Sequence, residues 1–125
     1  MFGRLRLLAI PVVAGLATVA GCGSDGSDVA SPGRPADGAG LYEAACSACH
    51  GSDLRGTGLG PALLSRVYEP SHHPDDSFRS AVANGVQAHH WNFGNMPPVP
   101  GLSDGEIDLI IAHVREVQER EGFID

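Results

Sequence analysis

Five consecutive residues, Cys46-Ser47-Ala48-Cys49-His50, constrain this chain more than anything else in it. On a helix, positions i, i+3 and i+4 share a face, so two thiols and an imidazole address one neighbour. The third and last cysteine, Cys22, lies far upstream, leaving no pair for a structural disulfide. Whatever the motif holds therefore becomes a central feature of the fold.

The rest of the chain reads as helices joined by long loops. No internal repeat and no strand-like alternation is visible between Asp37 and Asp125. A first helix is expected from Asp37 to Cys49, with Leu41, Ala45 and Ala48 at helical spacing and Gly51 just after its end. Gly51 to Pro61 is a glycine-rich loop, and a short helix is expected from Ala62 to Tyr68, ended before Pro70. A third helix should begin after Pro74, capped by Asp75 or Asp76, and stop at Asn84-Gly85. The last has the clearest signals: Ser103-Asp104-Gly105-Glu106 fits a capping box, and Ile107, Ile110, Ile111, Val114 and Val117 form one apolar stripe. The first helix is its natural partner. These few aliphatic residues make a thin core for a domain of this length, so something else must fill the middle.

Cys-x-x-Cys-His is the arrangement of covalent haem attachment. Two sulfurs bond the vinyl-derived carbons of a porphyrin while the adjacent imidazole reaches the iron. A zinc site is the first rival, but it would need further Cys or His ligands, and no second cysteine pair exists. A redox dithiol is the second, but such motifs open a helix in a βαβ setting that is not apparent here.

From Gly38 to Gln118 the chain resembles the class I c-type cytochromes. Gly38, Tyr42 and Cys46 to Gly51 look like that family's first helix, Gly60-Pro61 like the glycine-proline after its haem loop, and Asn95-Met96-Pro97-Pro98 like its distal-ligand loop. Leu102 to Val117 look like its closing helix. The resemblance implies an all-α, cytochrome c-like fold of three to five short helices around one covalent haem c. It implies Cys46 and Cys49 as attachment points, His50 as proximal ligand, Met96 as distal ligand and the Pro61 carbonyl as acceptor for His50. An imidazole is oriented by what its other nitrogen meets, and a thioether favours ferrous iron. Met96 also admits a packing role, but it is the only methionine besides Met1 and sits among stiffening prolines. Where the family usually has an aromatic residue on the closing helix, this chain has His113, expected to pack on the first helix as a core imidazole.

Trp91, the single tryptophan, is expected with Phe93 to pack the haem edge, its N–H within reach of a propionate. Two histidine pairs, His72-His73 and His89-His90, invite a copper reading because imidazole suits copper. Nothing local fixes their geometry, and solvated or loop-ordering histidines are the plainer expectation. Either pair offers a substitute for Met96 as sixth ligand.

The amino terminus reads as a signal segment, residues 1–21: Arg4 and Arg6 without an acid, an apolar run from Leu7 to Ala20 too short to span a bilayer, then Gly21-Cys22. Val19-Ala20-Gly21-Cys22 resembles a bacterial lipobox, which implies cleavage before Cys22, lipidation of its sulfur and anchoring to a membrane on its extracytoplasmic side. Residues 22–36 are mostly Gly, Ser, Asp and Pro and cannot bury a core, so they read as a flexible tether of ~20 Å root-mean-square span. The domain is residues 37–125.

Charge narrows the partners. The chain carries 8 cations, all arginine, against 15 acids, a net charge of −7 that signal removal would take to −9. Nucleic acid is an unsuitable partner for such a surface. No phosphate loop, Ser-His-Asp set or second domain for a small-molecule substrate is apparent. The expected function is single-electron transfer, without enzymatic activity, by a monomer serving membrane-associated redox proteins. The alternatives are a haem enzyme or gas sensor with an open sixth site, a copper-handling lipoprotein, and a tethered subunit of a larger oxidoreductase.

Overall fold

The computed structural model describes Gly33, Pro35 and residues 37–125; the expected signal segment, Cys22 and most of the tether lie outside the described residues. Four α-helices and one 3-10 turn follow in the order α1 (Gly38–Ala45), α2 (Ser47–His50), the 3-10 turn (Arg66–Tyr68), α3 (Asp75–Asn84) and α4 (Asp104–Arg120). The architecture is all-α, with no strand among the described residues.

Helix α1 begins where the Asp37 carboxylate accepts the Gly40 N–H at 2.7 Å. It buries Leu41 and Tyr42 against α4. The crossing is close because residue 38 is glycine: a Cβ there would overlap the Leu109 carbonyl and stand 3.0 Å from the His113 Cβ. The single helix expected from Asp37 to Cys49 is in fact two. At Cys46 the backbone leaves helical geometry (φ −124°), although its N–H still reaches the Tyr42 carbonyl, and the one-turn α2 follows. Ala48, expected on the apolar face, is exposed. Gly51 ends α2 at φ 79°, where a side chain would collide with the Asp53 carboxylate and the Gly56 carbonyl.

The loop after α2 folds back on itself. Leu54, at φ 62° and 2% exposed, offers its carbonyl to the N–H groups of both Leu63 and Leu64. Those bonds replace the helix expected from Ala62, and only Arg66–Tyr68 turns helically, capped by the Ser65 hydroxyl. Helix α3 starts after Pro74, the N-cap, which has no side chain to bond the helix. Asp75 and Asp76, expected as caps, instead occupy the first turn, where their charge suits the positive end of the helix dipole. Gly85 closes α3 at φ 73° as expected.

Helix α4 carries the capping box, with Ser103 and Glu106 bonding reciprocally. All five residues of its expected stripe are buried, and so is Gln118, whose amide donates to the Leu63 carbonyl at 2.8 Å. The apolar interior divides in two. One cluster joins Leu41, Tyr42, Leu54, Leu63 and Leu64 to Ile110, Val114 and Val117. The other is Val82, Ile107 and Ile111, at the α3–α4 contact.

Candidate functional site

The interior holds a cavity of about 860 Å³. Ile110, Ile111 and Val114 of α4 and Val82 of α3 give it an apolar wall, while Tyr42, Cys46 and His50 bring in the first two helices. These aliphatic residues are buried by packing yet face open volume, so a large apolar occupant would complete the core they leave unfinished.

The motif residues reach this cavity by local folding. Because Cys46 terminates α1 and α2 makes a single turn, its half-buried thiol and the His50 ring both line the cavity, whereas Cys49 is exposed, its backbone close against Gly60. Burial, followed by the neighbouring Cys49, pushes the Cys46 thiol up to about 11, keeping it protonated while free. His50 Nδ1 stands 2.9 Å from the Pro61 carbonyl oxygen, which can only accept. That bond places the proton on Nδ1 and leaves the Nε2 lone pair available. The backbone below is fixed too, with the Gly51 carbonyl accepting the buried Tyr42 hydroxyl at 2.8 Å and the His50 carbonyl accepting Gly56 N–H at 2.7 Å.

Met96 lines the same cavity. Its N–H and carbonyl exchange 2.9 Å bonds with Val86, forming an isolated antiparallel bridge. Asn95 accepts the Ala88 N–H through its side chain, and Val99 N–H donates to Val82. Gly85 makes the approach possible: a Cβ there would stand 2.5 Å from the Met96 carbonyl. The thioether thus sits on a loop tied by its backbone to the end of α3.

These features place, in one cavity, the first thiol and the oriented imidazole of a Cys-x-x-Cys-His turn and a methionine on a clamped loop. The sequence model of the cytochrome c family, described as Cytochrome c, matches residues 35–118, well over half of the chain. The chain belongs to the cytochrome c family. No curated protein and no solved structure matches it. The cofactor of this cytochrome is haem c, covalently attached and carrying iron, and the protein is a haem-based electron carrier. The residues present suit such a group: the cavity is large and mainly apolar, and sulfur and imidazole donors line it.

Other site expectations fare differently. Trp91 lines the cavity half-buried, its ring stacked on Tyr68 at 5.7 Å, and Phe93 lines it while 43% exposed. His113 packs on α1, 5.7 Å from the Tyr42 ring, but it is half-buried rather than a core residue.

Sequence reasoning missed the role of Tyr68, whose ring meets His73, Phe78 and Trp91 on the cavity wall. Burial pushes its phenol up to about 12. It also missed Arg115, which donates to the carbonyls of Tyr68 and His73 and to Asp75, and whose guanidinium lies 4.7 Å from the Phe78 ring centre. Its position four residues after Ile111, beside the apolar stripe, was the available signal. Most of all, the two histidine pairs meet. The His72 and His90 rings are 5.3 Å apart, and His73 lies 5.3 Å from His90 and 6.0 Å from His89. Partial desolvation, then repulsion from His89, His73 and His72, holds the His90 imidazole below its usual range.

Proposed function

We propose that this cytochrome is a single-electron carrier working outside the cytoplasm, anchored to a membrane by a lipidated Cys22. In this reading Cys46 and Cys49 would hold one haem through thioether bonds, and His50 and Met96 would supply the ligands to its iron. The observation that carries it is the shared cavity of His50 and Met96, with the His50 proton engaged by the Pro61 carbonyl.

Bound haem supplies one-electron exchange between ferric and ferrous iron. The chain's own work is to hold that centre still. The Nδ1–H bond to Pro61 keeps His50 in the tautomer that presents Nε2 and limits rotation of the ring. Met96 is restrained through both its backbone groups, so its thioether needs little rearrangement when the iron changes charge. A thioether ligand favours the ferrous state and raises the potential relative to a second imidazole. The apolar wall excludes water, which further disfavours the extra charge of ferric iron.

The acidic chain favours encounter with basic patches on redox partners. Such contacts are expected to be transient and to bury less than ~1,200 Å². A lipid anchor would raise the local concentration at the membrane without adding contact affinity. Among the described residues no helix is long and apolar enough to cross a membrane.

The test is the visible spectrum of the ferric, haem-loaded protein beside Met96→Ala. The long-wavelength band of sulfur bonded to iron should appear in the parent and vanish in the variant. A parent spectrum without it would remove Met96 from the iron and with it the carrier geometry proposed here.

A further inference from the structure

The histidine pairs lie on either side of α3, His72-His73 before it and His89-His90 after it, yet three of the four imidazoles converge. Ligand nitrogens of His72, His73 and His90 all lie within 4.8 Å of one another. Tetrahedral zinc with Zn–N bonds of 2.0–2.1 Å requires nitrogens ~3.4 Å apart. The remaining closure, at most ~1.4 Å, is within the reach of side-chain rotation because His72 and His90 are exposed.

Two further observations point to a ligand. His73 Nδ1 stands 2.6 Å from the Val67 carbonyl oxygen, so Nδ1 carries the proton and Nε2 offers its lone pair, the orientation that metal-bound histidines take from a backbone carbonyl. The backbone is fixed on both sides as well. His72 and His73 N–H groups both donate to the Glu69 carbonyl, and the loop bearing His90 is fastened by the Val86–Met96 bridge and by Asn95. The rings are therefore presented by two anchored segments.

We propose that His72, His73 and His90 form a second metal site at the rim of the haem cavity, which His73 and His90 also line, for a divalent late first-row transition ion such as Zn(II) or Cu(II). Three neutral imidazoles without a thiolate select these borderline ions over Mg(II) or Ca(II), which prefer oxygen. His89, whose ring centre is 4.3 Å from that of His90 and 6.0 Å from that of His73, is a further imidazole beside the cluster. Occupancy would tie the segment before α3 to the one after it, and so brace the loop that carries Met96.

The experiment is calorimetric titration of the haem-loaded full chain, prepared without a histidine tag, with Zn(II), Cu(II) and Mg(II) in separate runs. The variants are His72→Ala and His90→Ala, both at exposed positions. The parent should bind one Zn(II) or one Cu(II), copper the more tightly, with no saturable uptake of Mg(II). Each variant should lose at least ~10-fold in affinity, and His72→Ala, whose residue does not line the cavity, should keep the parent's haem spectrum. Zinc should also raise the melting temperature of the parent and not of the variants. Absence of saturable binding in the parent, as when haem propionates engage these rings, would overturn the proposal, and so would variants that bind as well as the parent. The haem spectrum separates this failure from that of the electron-carrier reading, since it reports iron ligation whether or not the second ion binds.

Discussion

The two sides of α4 face different kinds of interior. Toward α1 it meets side chains that fill space unaided: Leu41 and Leu54 are each 2% exposed and do not line the cavity, and the Gln118 amide of α4 reaches the Leu63 carbonyl. Toward α3 its Ile107 and Ile111 meet Val82, with the half-buried Phe78, Val99 and Leu102 around them, before the open cavity begins. There the backbone carries the structure, through the Val86–Met96 bridge and the Val99-to-Val82 bond. The first region is a protein core. The second is half of one, with haem as the other half, which is how a domain with so few large apolar residues stays folded.

The largest effect should come from removing haem, for instance with a Cys46→Ala/Cys49→Ala variant followed by amide hydrogen exchange. The Val86 and Met96 amides should lose all measurable protection, because the wall beneath them would face water. Those of Leu41 and Val117 should retain some, since both belong to the first cluster and neither lines the cavity. Uniform loss across both regions would break the comparison and make haem the nucleus of the whole domain.

The legibility of the two regions in the sequence follows the same division. The stripe of α4, its capping box and the Gly85 stop were readable because each depends on neighbours within a few residues. The motif and the family resemblance pointed to Cys46, His50, Pro61 and Met96, which the structure brings to one cavity, and to Cys49, which it leaves exposed. The helix expected from Ala62 failed because the Leu63 and Leu64 amides go to Leu54, a pairing no local pattern announces. The break at Cys46 has no helix-breaking residue to mark it. Asp75 was read as a cap, but its carboxylate pairs at 2.8 Å with Arg115, forty residues away. The meeting of the histidine pairs likewise depends on how α3 folds the chain between them.

Truncation of one side chain in each region gives the next largest effect. Leu41→Ala should cost ~3 kcal/mol in urea unfolding of the haem-loaded protein, since it empties a site that packs only against protein. Val82→Ala should cost less, ~1–2 kcal/mol, because its surroundings adjoin the haem cavity and can relax into it. The Val82 variant should also perturb the haem spectrum while Leu41→Ala leaves it unchanged. Equal costs with equal spectral changes would mean that the two clusters behave as one core.

The smallest contrast lies between two tyrosines, Tyr42 within the first cluster and Tyr68 half-buried at its edge. Tyr42 is 1% exposed and its hydroxyl donates to the Gly51 carbonyl, so Tyr42→Phe should cost ~1 kcal/mol by leaving that acceptor without its partner. Tyr68 contributes mainly through its ring, against His73, Phe78 and Trp91, and Tyr68→Phe keeps those contacts at a cost within ~0.5 kcal/mol. Alkaline titration adds an independent reading. Burial raises the Tyr68 phenol to about 12 and lifts Tyr42 further, whereas an unfolded tyrosine ionises near ~10. Above that pH the unfolded chain sheds protons that the folded one keeps, so stability is full below it and falls as pH rises toward the folded-state values. Either Phe substitution should flatten part of that fall, Tyr42→Phe the more. An unchanged alkaline slope in Tyr42→Phe would mean that its phenol reaches solvent, and that the α1 side is less tightly closed than its packing indicates.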